Sequence, residues 1–89
     1  MSNEKTTLID FPCDFPLKII GSHTHNFIEE ITSIVLKHYP LTPEENISTK
    51  TSEKGNYISM TVIVFTENQM TLDALYYELT SHPHIKMVL

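Results

Sequence analysis

Apolar residues recur along this chain with two different periods, and the two periods predict different elements. Spacings of three and four residues are typical of a helix with one buried face, whereas strict alternation is typical of a strand. In chain order, the predicted elements are a strand at Phe15–Ile20, a helix at His25–His38, a polar edge strand at Ile47–Lys54, a strand at Tyr57–Phe65, a helix opened by a capping box at Thr66–Gln69 and broken by Pro83, and a strand at Ile85–Leu89.

The order of these elements, βαββαβ, predicts a ferredoxin-like fold of the α+β class. In such a sandwich two helices cover one face of a four-stranded antiparallel sheet. We expect the spatial strand order 4-1-3-2. An α+β domain with another strand order is the alternative. In the expected fold, the uniformly apolar side of the third strand lies beneath both helices, which buries Ile58, Met60, Val62 and Val64.

The chain length limits the organisation to one domain. Of the 89 residues, we assign 11–89 to that domain and 1–10 to a disordered lead-in. The single cysteine, Cys13, excludes an internal disulfide, and the polar start Met1–Thr7 has no apolar run of signal-peptide or membrane-spanning length. We therefore expect a cytoplasmic protein without a membrane partner.

The net charge and the lack of catalytic motifs argue against several classes of function. The formal charge is −5 and every cation is a lysine, which argues against nucleic acid as a partner. No Ser-His-Asp order or paired-carboxylate motif is present, and two glycines are too few for a phosphate-binding loop. We expect neither an enzyme nor a cofactor. We predict a small regulatory or protein-interaction module.

Four short motifs are spread over residues 11–89. They are Phe11-Pro-x-x-Phe15-Pro-x-Lys18, Ser52-x-Lys-Gly-Asn-Tyr57-x-Ser59, Leu75-Tyr-x-Glu-Leu79 and Lys86-Met-Val-Leu89. Together they resemble the YbeD-like family of small uncharacterised bacterial proteins. The resemblance implies a ferredoxin-like fold similar to that of ACT domains, the amino-acid-sensing regulatory modules of metabolic enzymes. It implies no catalytic residues.

The turn after the first strand is the candidate ligand-binding site if a small molecule is sensed in the manner of ACT domains. Gly21 and Ser22 stand there, where the first helix begins. Exposed amides at a helix N-terminus attract carboxylates. The alternative is that Gly21 simply allows the strand to end in a sharp turn.

Two His-x-His pairs define an alternative function. The topology brings His23, His25, His82 and His84 to the same end of the sheet, beside Gly55 and Asn56. Four imidazoles could bind zinc, which would make the chain a small metal-binding protein or enzyme. The other interpretation is four exposed loop histidines without a shared role.

The sheet face away from the helices is the candidate interaction face. Strand parity assigns Lys18, Ser59, Thr61, Ile63, Phe65, Lys86 and Val88 to it, together with Ile20, Lys50, Ser52 and Tyr57. We predict that this face docks a second copy or another protein, with its lysines steering an acidic surface. The alternative is that the N-terminal segment, including Phe11, folds across it.

Overall fold

The computed structural model describes residues 10–89, in which four strands and two α-helices follow one another in the predicted order. They are β1 (Cys13–Ser22), α1 (Phe27–His38), β2 (Ile47–Thr51), β3 (Tyr57–Thr66), α2 (Gln69–Thr80) and β4 (Ile85–Val88). A short 3-10 helix, Glu44–Asn46, leads into β2 and was not predicted. The predicted lead-in falls on residues 1–9, outside the described residues, and on Asp10.

The strands form one antiparallel sheet in the order β2-β3-β1-β4, which confirms the predicted topology. β1 and β3 pair over their whole length, from Cys13 opposite Thr66 to Ser22 opposite Tyr57. This full ladder explains why β1 extends beyond Phe15–Ile20 at both ends. The turn between β2 and β3 contains Gly55 at φ 77, so that β2 ends at Thr51 rather than Lys54.

Pro16 lies inside β1 although proline cannot donate a ladder hydrogen bond. The backbone N–H groups of Lys18 and Ser22 point toward the β4 side, where they bond to the carbonyls of Leu89 and His84. Pro16 shares their parity, and β4 does not extend to its level. The missing donor therefore costs the sheet no hydrogen bond.

The core lies between the helices and the sheet. Alternate residues of β3, Ile58, Met60, Val62 and Val64, are at most 2% exposed, as predicted. They pack with apolar side chains from β1 and from the inward stripes of both helices, namely Leu17, Ile19, Phe27, Ile31, Val35, Leu72, Leu75 and Leu79. The two periods seen in the sequence thus converge on one shared core.

The second helix begins with a different cap from the predicted one. Asn68, not Thr66, is the N-cap residue, and its side-chain oxygen accepts a hydrogen bond from the Thr71 backbone N–H at 2.8 Å. Thr66 is fully buried as the last residue of β3, where its hydroxyl accepts from the Tyr39 hydroxyl and donates to the Asn68 carbonyl. Burial raises the pKa of the Tyr39 phenol, partly offset by the bond to Thr66.

The two helices are joined by a charged contact at one end. The Lys37 ammonium and the His38 Nε2 lie 2.8 and 2.9 Å from the two carboxylate oxygens of Glu78. Hydrogen bonds from Lys37 first, and from His38 second, hold the pKa of Glu78 below its ordinary 4.5. The ionised carboxylate is therefore favoured in the folded state.

This contact predicts a pH-dependent part of the stability. Because the folded-state pKa is lowered, the contribution of Glu78 is complete above the unfolded-state value and is lost as the pH falls through the folded-state value. We expect Glu78→Gln to be less stable than the unchanged protein at pH 7, with the difference shrinking below pH 4.5. Urea unfolding across this pH range measures the difference in the free energy of unfolding. Glu53→Gln is the control, since Glu53 forms no ion pair within residues 10–89. An equal pH trend in both variants would contradict the role given to Glu78.

Candidate functional site: the open face of the sheet

The face of the sheet that carries no helix, here called the open face, brings together most of the predicted interaction residues. On β3, the odd-numbered residues from Tyr57 to Phe65 alternate with the buried core positions. β1 and β2 place their own open-face residues directly beside them: Lys18 opposite Thr61, Ile20 and Lys50 opposite Ser59, and Pro16 opposite Ile63. These predicted positions are therefore neighbours on one surface.

Val88 is a correction to the predicted face. It lies opposite Ile19 and packs against the core, whereas Met87 lies opposite Ile20 and is exposed. The cause is a register irregularity between Ile20 and Gly21, which inserts one residue of β4 and reverses the alternation beyond it. Regular alternation from the predicted side of Val88 would place Met87 on the helix side, and the same irregularity is the reason that it is exposed instead.

The irregularity adds two apolar side chains to the open face that the sequence reasoning missed. Leu89 exchanges backbone hydrogen bonds with Lys18, so it shares the side of Lys18, and Met87 shares the side of Ile20. Lys86, at the irregularity, is exposed. The segment Ile85–Leu89 has apolar residues at four of its five positions, and such a pattern fits either register.

Five of the ten large apolar side chains that are exposed within residues 10–89 lie on the open face. Its large apolar side chains are between 36% and 60% exposed, in the order Leu89, Phe65, Met87, Tyr57 and Ile63. Scattered exposed apolar residues are ordinary on a protein surface, whereas several on one continuous sheet face mark a contact surface more often.

The lysines are segregated on the same side of the molecule. Lys18 and Lys50 stand on the open face, and Lys54 and Lys86 lie in the hairpin turn and at the irregularity of β4. Within residues 10–89, none of these four has a carboxylate within ion-pair distance, whereas Lys37 on α1 is paired with Glu78. Among residues 10–89, four acidic residues lie on the two α-helices, namely Glu29, Glu30, Asp73 and Glu78. Asp14 stands at the far end of the open face opposite Phe65, and Glu53 lies in the hairpin turn beside Lys54.

The candidate ligand turn is occupied by the protein's own groups. Gly21 is buried, and a Cβ there would overlap the Phe27 ring, so glycine is needed for close packing. The backbone N–H of Ser22 donates to the His84 carbonyl, and that of His23 donates to the Asn56 carbonyl. A carboxylate at this turn would have to compete with these bonds, so ligand binding at Gly21 and Ser22 stays a prediction.

Three of the four histidines, His23, His82 and His84, have contacts at the hairpin end. His23 Nδ1 lies 2.9 Å from the Gly55 carbonyl oxygen, and the rings of His82 and His84 are 5.7 Å apart. Both ring nitrogens of His82 have protein partners: Nε2 lies 2.9 Å from Glu30, and Nδ1 accepts from the His84 backbone N–H. In the described part of the chain, no three histidine, cysteine or acidic side chains are grouped to share a metal ion. The geometry gives the zinc hypothesis for His23, His25, His82 and His84 no support.

A groove of about 290 Å³ lies at the opposite end, between the loop after α1 and the loop after β3. Tyr39, Leu41 and Phe65 form part of its wall. Its amides already have partners, since Asn46 donates to the Ile63 carbonyl and Asn68 caps α2. The groove therefore offers apolar contact but few uncommitted polar groups to orient a ligand.

The fold is ferredoxin-like, and it is similar to that of ACT domains. Two solved structures of the ACT domain from GTP pyrophosphokinase of Chlorobium tepidum superpose on the chain, one determined by solution NMR (TM-score 0.67, 19% identity, covering 85% of this chain and 84% of that one) and one by crystallography (TM-score 0.64, 21% identity, covering 86% and 97%). At these identities the likeness concerns the fold.

The chain belongs to the family described as protein of unknown function DUF493, whose profile matches residues 6–89. A UPF0250 protein of Neisseria meningitidis serogroup C is 47% identical over 85 residues, which cover 96% of this chain and 93% of the relative. A UPF0250 protein of Chromobacterium violaceum is 42% identical over 89 residues, the full length of both. These relatives confirm the resemblance to the YbeD-like family.

Neither helix within residues 10–89 has the length and apolar character that a membrane-spanning helix needs.

Proposed function

We propose that this chain is a cytoplasmic regulatory module that acts by binding rather than by catalysis, and that the open face docks a partner protein. The partner presents an apolar centre with acidic side chains around it. The apolar centre of the partner would contact the exposed Phe65, Met87 and Leu89. Its acidic side chains would contact Lys18 and Lys50.

The observation that carries the proposal is the coincidence of exposed apolar area and unneutralised lysines on one face of an acidic chain. The net charge is −5, yet four lysines surround the open face without a carboxylate partner in residues 10–89. Lysines around an apolar patch favour an acidic partner and speed its approach. The likeness to ACT domains of a GTP pyrophosphokinase supports an enzyme as the class of partner.

The test compares two exposed aromatic residues on opposite sides of the molecule. Phe65 lies on the open face, and Tyr77, which is 76% exposed, lies on α2. The tagged chain is used to capture partners from an extract of its own bacterium, and the captured protein is identified by mass spectrometry. We expect Phe65→Ser to lower the recovery of this protein at least about tenfold, because truncating an aromatic side chain that anchors an interface costs about 2 kcal/mol or more. Tyr77→Ser should recover it in full.

Other outcomes contradict the proposal. Equal recovery by Phe65→Ser and by the unchanged chain, with both shown to be folded by circular dichroism, excludes the open face as the docking surface. Light scattering of the purified chain gives its mass in solution. A doubled mass that Phe65→Ser returns to 10.2 kDa would identify a second copy as the occupant and exclude a separate partner.

A further inference from the structure

We infer that the half of the open face next to the β2–β3 hairpin binds a small oxyanion, a carboxylate or phosphate group, between Lys18 and Lys50. The inference does not depend on partner docking. A depression of about 470 Å³ lies there, crossing β1, β3 and β2. Its wall includes Lys18, Lys50, Ile20, Tyr57, Ser52 and Ser59.

The two lysines are placed to share one anion. β3 lies between their strands, so they stand roughly 10 Å apart across the sheet, with Lys18 opposite Thr61 and Lys50 opposite Ser59. Each ammonium group ends a flexible four-carbon stem, and both can reach a group that lies over Ser59. Neither has a carboxylate within ion-pair distance among residues 10–89, so an anion between them gains two charge-assisted hydrogen bonds.

Hydroxyl groups provide neutral donors around the same point. The Ser52 hydroxyl oxygen accepts from the Tyr57 backbone N–H at 3.1 Å, which leaves its own hydrogen available for donation. The hydroxyl of Ser59 can donate from the floor, and that of Tyr57 from the wall. Ile20 adds an apolar surface against which a short carbon chain can lie.

One acidic residue limits the ligand. Glu53 also borders the depression, on the hairpin side. The Glu53 carboxylate would repel an anion bound beside it, so we expect the oxyanion to lie toward Lys18 and away from Glu53. This asymmetry favours a compact anion over an extended polyanion such as a nucleic acid strand.

The test is a titration of the isotopically labelled full chain, followed by amide NMR, with inorganic phosphate in one series and butyrate, a monocarboxylate with a short carbon chain, in another. We expect saturable shifts centred on Ser59, Thr61 and Lys50 with at least one of the two probes. If phosphate alone saturates, the source is a phosphate compound, and if butyrate alone saturates, it is a carboxylic acid. Sodium chloride at matched ionic strength should produce no saturable shift.

Two sets of variants test whether the anion binds in the depression itself. Lys18→Gln and Lys50→Gln should each weaken binding about tenfold, which corresponds to about 1.4 kcal/mol. Lys54→Gln removes the same charge from the adjacent turn, outside the lining of the depression, and should weaken binding less than about twofold if screening limits its effect. Equal weakening by all three variants, or shifts that only follow ionic strength, would overturn the inference.

Discussion

Replacing Gly21 by alanine is expected to destabilise the protein by about 3 kcal/mol, because an added methyl group in a packed site forces its neighbours to move. The added Cβ would overlap the Phe27 ring and lie 2.7 Å from the His84 carbonyl oxygen. The ring is fully buried, and the carbonyl is held by its hydrogen bond to Ser22. Neither group can retreat without disturbing the core or the pairing of β1 with the start of β4.

A double substitution separates the ring from the backbone as the source of this effect. Phe27→Leu creates space beside Gly21 at its own cost, so Gly21→Ala should be less damaging in that background than alone. Urea unfolding of the four proteins gives the coupling energy directly. Strictly additive effects, or a Gly21→Ala protein as stable as the unchanged one, would contradict the close packing of Phe27 over Gly21.

The second large effect is expected for Val62→Ala, which should cost about 2 kcal/mol through lost burial and a residual cavity. Val62 has no exposed surface and lies in the middle of β3, between Leu17 on β1 and Ile47 on β2. The same strand offers a matched control in Ile63, which is the next residue and faces the open side.

Ile63→Ala removes more carbon atoms than Val62→Ala but should cost less, because its side chain already contacts water. Thermal and urea unfolding of the purified variants measure both changes. If Ile63→Ala proves the more damaging substitution, the assignment of the two sides of β3 is wrong.

Most of the fold could be predicted because each buried element carries its own period. One side of β3 is apolar at four successive alternate positions, from Ile58 to Val64, and the apolar stripe of α1 coincides with acidic residues early and basic residues late in the helix. The N-cap of α2 was predicted wrongly, because two neighbouring residues compete for that position. Thr66 and Asn68 are both good capping residues, and the bond from the buried Tyr39 hydroxyl holds Thr66 in the core and leaves the cap to Asn68.

The residues of the candidate site could be predicted wherever regular alternation along a strand decides on which side of the sheet a side chain lies. Lys18, Ser59 and Phe65 follow regular alternation, and the structure places all three on the open face. The side of Val88 could not be predicted in this way. The register irregularity depends on how two distant strands pair, and the five residues of the last segment carry no signal for it. The depression between Lys18 and Lys50 likewise requires the register of three strands, which no single segment contains.

The proposed anion site and the proposed partner surface share Lys18 and Lys50 on the open face. An anion bound beside Lys18 would neutralise a charge that the proposed partner uses. Binding of the two would then be coupled, and by linkage each would change the affinity for the other by the same factor. Such a coupling would let the anion regulate the binding of the partner.

The central position of β1 has a consequence for how the chain folds. β1 is synthesised before both strands that pair with it, and the hydrogen bonds between Lys18 and Leu89 join it to the residue that follows β4. Pairings between distant segments are slow to form, and translation adds only about 5–20 residues per second. During synthesis, Leu17 and Ile19 therefore remain without their β3 neighbours, Val62 and Met60, until β3 has left the ribosome. The four-stranded sheet can close only after β4 has left it as well.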